Sequence, residues 1–142
     1  MKVYNGEKML LGRLATTIAK QALLGEEVNV VNCEKVVISG NQQQTINYEI
    51  HRRKRKGYPL KSATRSRLPD RFVRRAIRGM LPWKQERGRE AFKRIRCYTG
   101  MPEAFAKQEI IVMKEASALK LPTLKYITVG DICKQIGGRI NE

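Results

Sequence analysis

Apolar positions change their period several times along the chain, and each change marks an element. Val3 and Tyr4 follow Lys2 in a short extended pattern, after which Leu11, Leu14, Ala15, Ile18, Ala19 and Ala22 recur at helical spacing until Gly25. That spacing predicts a helix with one buried face, packed on a sheet. Val28-Asn29-Val30-Val31 then reads as a buried strand, and Val36-Val37-Ile38 as another that ends at the turn cluster Ser39-Gly40-Asn41. Strand, helix and strand within about thirty residues have the size of a βαβ unit.

The pattern disappears in the middle of the chain. From His51 to Arg67 apolar residues are scarce, and Arg52-Arg53-Lys54-Arg55-Lys56-Gly57-Tyr58-Pro59 carries neither a helical nor a strand period. This predicts an extended arm or loop that orders on a partner. Periodicity returns at Pro69, a residue well suited to a helix start. Between Arg71 and Leu81 the wheel separates Arg71, Arg74, Arg75 and Arg78 from Phe72, Val73, Ala76, Ile77 and Met80. One face should enter the core and the other should form an arginine rail. Pro82 ends the element, and a second helix from about Gly88 to Arg96 groups Ala91, Phe92 and Ile95. Trp83, between the two, reads as a packing residue, with base stacking as the alternative.

Downstream, Cys97 to Gly100 and Glu109 to Met113 are short strand candidates, and Lys114 to Lys125 is irregular around Pro122. Thr128-Val129-Gly130-Asp131 resembles a capping box, followed by Val129, Ile132, Cys133 and Ile136 on one face before Gly137-Gly138. A small strand and helix over about 123–138 should close the domain.

Composition sharpens this outline. A chain of 142 residues with 42% hydrophobic content fits one domain with its own core, while 30% charged residues make the surface strongly ionic. Of the formal charge of +16, nearly all sits in one place: His51 to Tyr98 holds 13 Arg and 5 Lys against Asp70, Glu86 and Glu90. A near-neutral body with one cationic region implies a polyanionic partner. The excess of Arg over Lys points to phosphate, because the planar guanidinium fork matches it and also stacks on bases.

Other chemistries find little support. Gly6 and Gly12 lack phosphate-loop spacing and its following Lys-Ser/Thr, and no G-x-G-x-x-G occurs. His51 lies among bases with no nucleophile or carboxylate beside it, so it reads as a surface or RNA-facing ring rather than a catalyst. Cys33, Cys97 and Cys133 are odd in number and widely spaced, which argues against a disulfide framework or a zinc site and for small core residues. The absence of an eighteen-residue apolar run and of a signal-like start leads us to expect a reducing, cytoplasmic setting.

Four strings occur in order: Gly12-Arg13-Leu14-Ala15; Val30-Val31-Asn32-Cys33-Glu34-Lys35-Val36-Val37-Ile38-Ser39-Gly40; Gly79-Met80-Leu81-Pro82; and Gly88-Arg89-x-Ala91-x-x-Arg94-Ile95-x-x-Tyr98-x-Gly100. With them the chain closely resembles the universal large-subunit ribosomal protein thirteen family in its archaeal branch, most strongly over the first hundred residues. The resemblance implies an α/β fold with a central, mostly parallel four-stranded sheet and flanking helices, like half a doubly wound fold without a nucleotide site. It also implies binding to large-subunit rRNA, a place beside other ribosomal proteins, and support of early subunit assembly. Two departures stand out. Bacterial members carry a basic residue where this chain has Trp83, and Ala is usual where it has Cys33. The segment from Lys125 to Gly138 is similar to an archaeal and eukaryotic feature.

Charge pattern and resemblance together nominate the RNA-binding residues. Arg52, Arg53, Lys54, Arg55 and Lys56 would track the backbone, with Tyr58 available for stacking and Lys61, Arg65 and Arg67 continuing the arm. Arg71, Arg74, Arg75 and Arg78 would form the rail, extended by Lys84, Arg87, Arg89, Lys93 and Arg94. We expect no enzyme activity, cofactor, metal, membrane or small-molecule substrate. An architectural DNA-binding protein is the rival that charge alone permits, though no zipper, zinc-finger or helix-turn-helix signature supports it.

Overall fold

A computed structural model describes residues 1–55 and 65–138. The expected βαβ unit opens the chain as β1 (Lys2–Asn5), α1 (Leu11–Leu23) and β2 (Val28–Val31). The two strands are parallel with Lys2 opposite Val28 and Asn5 opposite Val31, so they need a crossover, which α1 supplies. Leu14, Ala15, Ile18, Ala19 and Ala22 form the buried stripe of α1. The helix stops where Gly25 adopts φ +97°, and the N–H groups of Gly25 and Glu26 donate to the Ala22 and Gln21 carbonyls, each at 3.2 Å. These bonds satisfy carbonyls that a helix end leaves open, in a left-handed conformation that glycine adopts without strain.

The chain continues through β3 (Val37–Ser39), α2 (Gln42–Lys54), α3 (Pro69–Gly79), α4 (Glu86–Lys93), β4 (Ile95–Cys97), β5 (Ile110–Ile111), β6 (Tyr126–Thr128) and α5 (Val129–Gln135). The central sheet has the order β4-β2-β1-β5 and is parallel throughout, as the α/β expectation required. β2 lies inside it and is buried along its whole length, which explains its nearly continuous apolar run. A separate antiparallel pair, β3 with β6, was not foreseen: Val37 lies opposite Thr128 and Ser39 opposite Tyr126. Its partners are nearly ninety residues apart in sequence, beyond the reach of local pattern. Through this pair and α5, whose Val129, Ile132 and Cys133 are fully buried, the C-terminal segment is built into the core.

Three boundaries differ from expectation. Residues 51–54 are not part of an extended arm but the last turn of α2, a helix that the periodicity concealed. Asn41 caps it, its side chain accepting from the Gln43 N–H at 3.0 Å, and His51, Arg52, Arg53 and Lys54 complement the negative end of its dipole. The rail helix begins at Pro69, as expected of that residue, but ends at Gly79, short of Leu81. Finally, the helix expected over 88–96 ends at Lys93, because Ile95, Arg96 and Cys97 pair with β2 as β4. Lys56, Tyr58 and Lys61, nominated above, lie outside the described residues.

α3 sends Val73 and Ile77 into the core, where both are fully buried, and packs against α1. α4 is set by a close approach: a Cβ on Gly88 would stand 2.2 Å from the Pro82 carbonyl oxygen. Only glycine leaves room for this contact, which fixes the turn carrying Trp83 against the second helix.

Candidate nucleic-acid interface

The last turn of α2, the strand-free residues 65–67, α3 and α4 bring most of the nominated bases together. α3 fixes the spacing of its arginines, but they do not act as one row. Arg74 and Arg78, one helical turn apart, lean toward α4: the Arg74 guanidinium sits 4.4 Å from the centre of the Phe92 ring, and Arg78 sits 3.9 Å from that of Trp83. The two rings meet edge to face at 5.0 Å and 88°. Trp83 therefore serves the packing role expected of it, and the stack holds two cations in place at little further entropic cost.

Arg71 and Arg75, also one turn apart, face the other way. With Arg52, Arg53 and Arg65 they line a cleft of about 380 Å³ between α2 and α3. Glu49, which charge counting over His51 to Tyr98 had left out, also lines this cleft and is 8% exposed. Its carboxylate lies 3.6 Å from Arg52, whose guanidinium also stands 5.1 Å from the centre of the Tyr48 ring. Arg53 donates through Nη2 to the Ser66 carbonyl, tying residues 65–67 to α2, while its Nε is buried without a hydrogen-bond partner among the described residues.

Five arginines and one carboxylate leave the cleft strongly cationic. Burial lowers the Arg75 pKa from its ordinary value, and the neighbouring charges of Arg65, Arg78 and Arg52 lower it further. Arg53 is lowered by burial and then by Arg67, while Glu49 opposes the shift. Arginine starts so high that both remain charged at neutral pH. Burial is the first cause of both shifts and crowding of like charge the second, and an incoming anion would relieve that crowding.

The other nominated residues divide by position. Lys54, Arg55, Arg67, Lys84, Arg87, Arg89 and Lys93 are exposed. Arg87 is steadied by a 2.7 Å bond from its Nε to Gln85. Arg94 is turned inward: it donates to the Ala22 carbonyl at 3.3 Å and lies 3.9 Å from Glu90, closing the C-terminal end of α1.

Two of the three cysteines belong to the core. Cys33 and Cys133 are fully buried, consistent with small core residues, and burial pushes the Cys133 thiol up to about 12. Among the described residues no cluster of three His, Cys, Asp or Glu could hold a metal ion, and no helix is long and apolar enough to cross a membrane.

Comparison with known proteins agrees with the family resemblance. The profile of the family described as Ribosomal protein L13 matches residues 1–104. A protein of Methanopyrus kandleri named large ribosomal subunit protein uL13 is 42% identical over 139 residues, covering 95% of this chain and 86% of that protein. Its namesake in Methanococcus maripaludis is 42% identical over 142 residues, and that in Methanocaldococcus jannaschii 41% over 142, each covering 98% of this chain and 99% of the relative. These matches extend past residue 104 into the β6–α5 segment, in keeping with its place in the core. The relatives are named as components of a ribosomal subunit rather than as enzymes, and the chain belongs to the ribosomal protein L13 family.

Proposed function

We propose that the chain is a structural constituent of the large ribosomal subunit that binds and stabilises large-subunit rRNA and supports early subunit assembly in the cytoplasm. The observation that carries this reading is the cationic face of α2, α3 and α4, backed by Val73 and Ile77 in the core, on a chain of this family. A rigid base presents guanidinium groups at fixed spacing, which suits folded RNA where phosphates crowd together. No reaction is required of the site; its work is charge neutralisation and positioning. Other large-subunit proteins are its expected neighbours, since its relatives are named as parts of that subunit.

Competition between a large-subunit rRNA fragment and duplex DNA tests the proposal across a range of salt. Preference for the rRNA, with log affinity falling by about 0.7 to 0.9 per phosphate neutralised for each unit of log salt, supports it. Equal binding to both would favour the DNA-binding reading, and affinity independent of salt would oppose any phosphate-based account.

A further inference from the structure

The cleft between α2 and α3 has more than charge. Leu11, Ile38, Phe72 and Ala76 contribute an apolar lining beside the arginines. A site for phosphate alone has no use for that lining or for about 380 Å³ of room. Glu49 is the one acid among the lining residues, nearly buried and held beside Arg52. A carboxylate so placed accepts hydrogen bonds but repels phosphate, so it suits the donor edge of a base. The buried, unpartnered Nε of Arg53 marks donor capacity that the described residues do not fill.

We propose that this cleft is a nucleotide subsite, receiving one unstacked RNA nucleotide with its base against the apolar lining and its phosphate on the arginines. The inference rests on the rRNA-binding reading and deepens it. Proteins that read RNA take up splayed bases on apolar, aromatic or guanidinium surfaces and bond to their edges. Phe72 and the arginines supply the surfaces, and Glu49 the edge contact. Guanine is the preferred base, because two adjacent N–H donors on its Watson–Crick edge match one carboxylate.

The test uses the full chain and the large-subunit rRNA fragment that survives nuclease trimming of their complex. Each nucleotide is replaced in turn by an abasic one, which removes the base and keeps the phosphate. One position should weaken binding at least about fivefold, with the salt dependence unchanged. Ala76→Phe fills the cleft but keeps all five arginines; it should weaken binding to the intact fragment similarly and be insensitive to that abasic position. Glu49→Gln, which preserves shape, should show the same non-additivity in milder form and keeps the test valid if the larger substitution impairs folding. A flat abasic scan, or a sensitive position whose effect adds fully to both substitutions, would overturn the proposal. So would guanosine monophosphate binding that Ala76→Phe abolishes alongside a flat scan, since the cleft would then hold a free mononucleotide. Failure of the wild-type chain to retain any rRNA fragment strikes the functional reading itself, whereas salt-dependent retention with a flat scan removes only the subsite.

Discussion

Replacing the α3 arginines in pairs separates the two jobs that their directions imply. In R74Q/R78Q the guanidinium groups over Phe92 and Trp83 are lost, each contact contributing about 0.5–1 kcal/mol at sites of this exposure. For a chain of this size about 1 kcal/mol moves the melting temperature by about 2–4 °C, so the pair should lower it by about 2–8 °C. In R71Q/R75Q two of the five crowded cations of the cleft disappear together with their mutual repulsion, and melting should fall by less than in R74Q/R78Q. Both pairs should reduce the dependence of RNA affinity on salt. Two lost phosphate contacts make the log–log slope shallower by about 1.4–1.8, so the loss of affinity between 50 and 200 mM salt shrinks by roughly sevenfold to twelvefold. Thermal melts and filter binding at four or five salt concentrations measure both quantities. Equal melting temperatures for the two pairs would refute the stacking argument, and slopes equal to wild type in both would refute phosphate contact by this helix.

Three further outcomes follow from the geometry. Gly88→Ala should destabilise the fold by more than an ordinary helical glycine-to-alanine change, because its Cβ would stand 2.2 Å from the Pro82 carbonyl oxygen; a stabilised variant in chemical denaturation would contradict that packing. Arg94→Met should cost about 1 kcal/mol in the same assay while leaving the salt slope of RNA binding unchanged, since this side chain serves the Ala22 carbonyl. The Cys133 pKa is raised in the folded chain to about 12, so its protonated form is fully stabilising below the unfolded thiol value of about 9 and loses that advantage as pH climbs toward 12. Wild type should therefore lose stability more steeply than Cys133→Ala across that window, and parallel pH profiles would refute it.

How far the fold was legible depends on whether each element carries its own reason. α1, β2 and α3 show their buried faces in Leu14 and Ile18, in Val28 and Val30, and in Val73 and Ile77, so their periods name them. α5 was legible through its start signal: the Thr128 hydroxyl accepts from the Asp131 N–H at 3.1 Å and lies 2.6 Å from the Asp131 carboxylate. α2 had no such stripe. Ile46 and Ile50 are only partly buried, and Glu49, the residue it buries most, is an acid whose charged partners include Arg52 on its own last turn. The pairing of β3 with β6 depends on a meeting across most of the chain, which local pattern does not encode.

The same contrast holds for the cationic face. Its position in the chain was plain from the run of bases between His51 and Tyr98, and its helical spacing from the wheel of α3. A wheel, however, places Arg71, Arg74, Arg75 and Arg78 on one surface and says nothing of what flanks it. The flanks split the rail, since α4 and the turn before it bring Phe92 and Trp83 to one side and α2 brings Arg52, Arg53 and Glu49 to the other. Arg94 shows what a count of charges misses: its guanidinium also serves the end of α1, where it donates to the Ala22 carbonyl.

Crosslinking in native large subunits, with the joined peptides and nucleotides both sequenced, tests the central claim most directly. The account predicts crosslinks from the end of α2, from α3 and from α4 to large-subunit rRNA. Crosslinks confined to the segment around the exposed Leu119 and Leu124, with none from these helices, would contradict it.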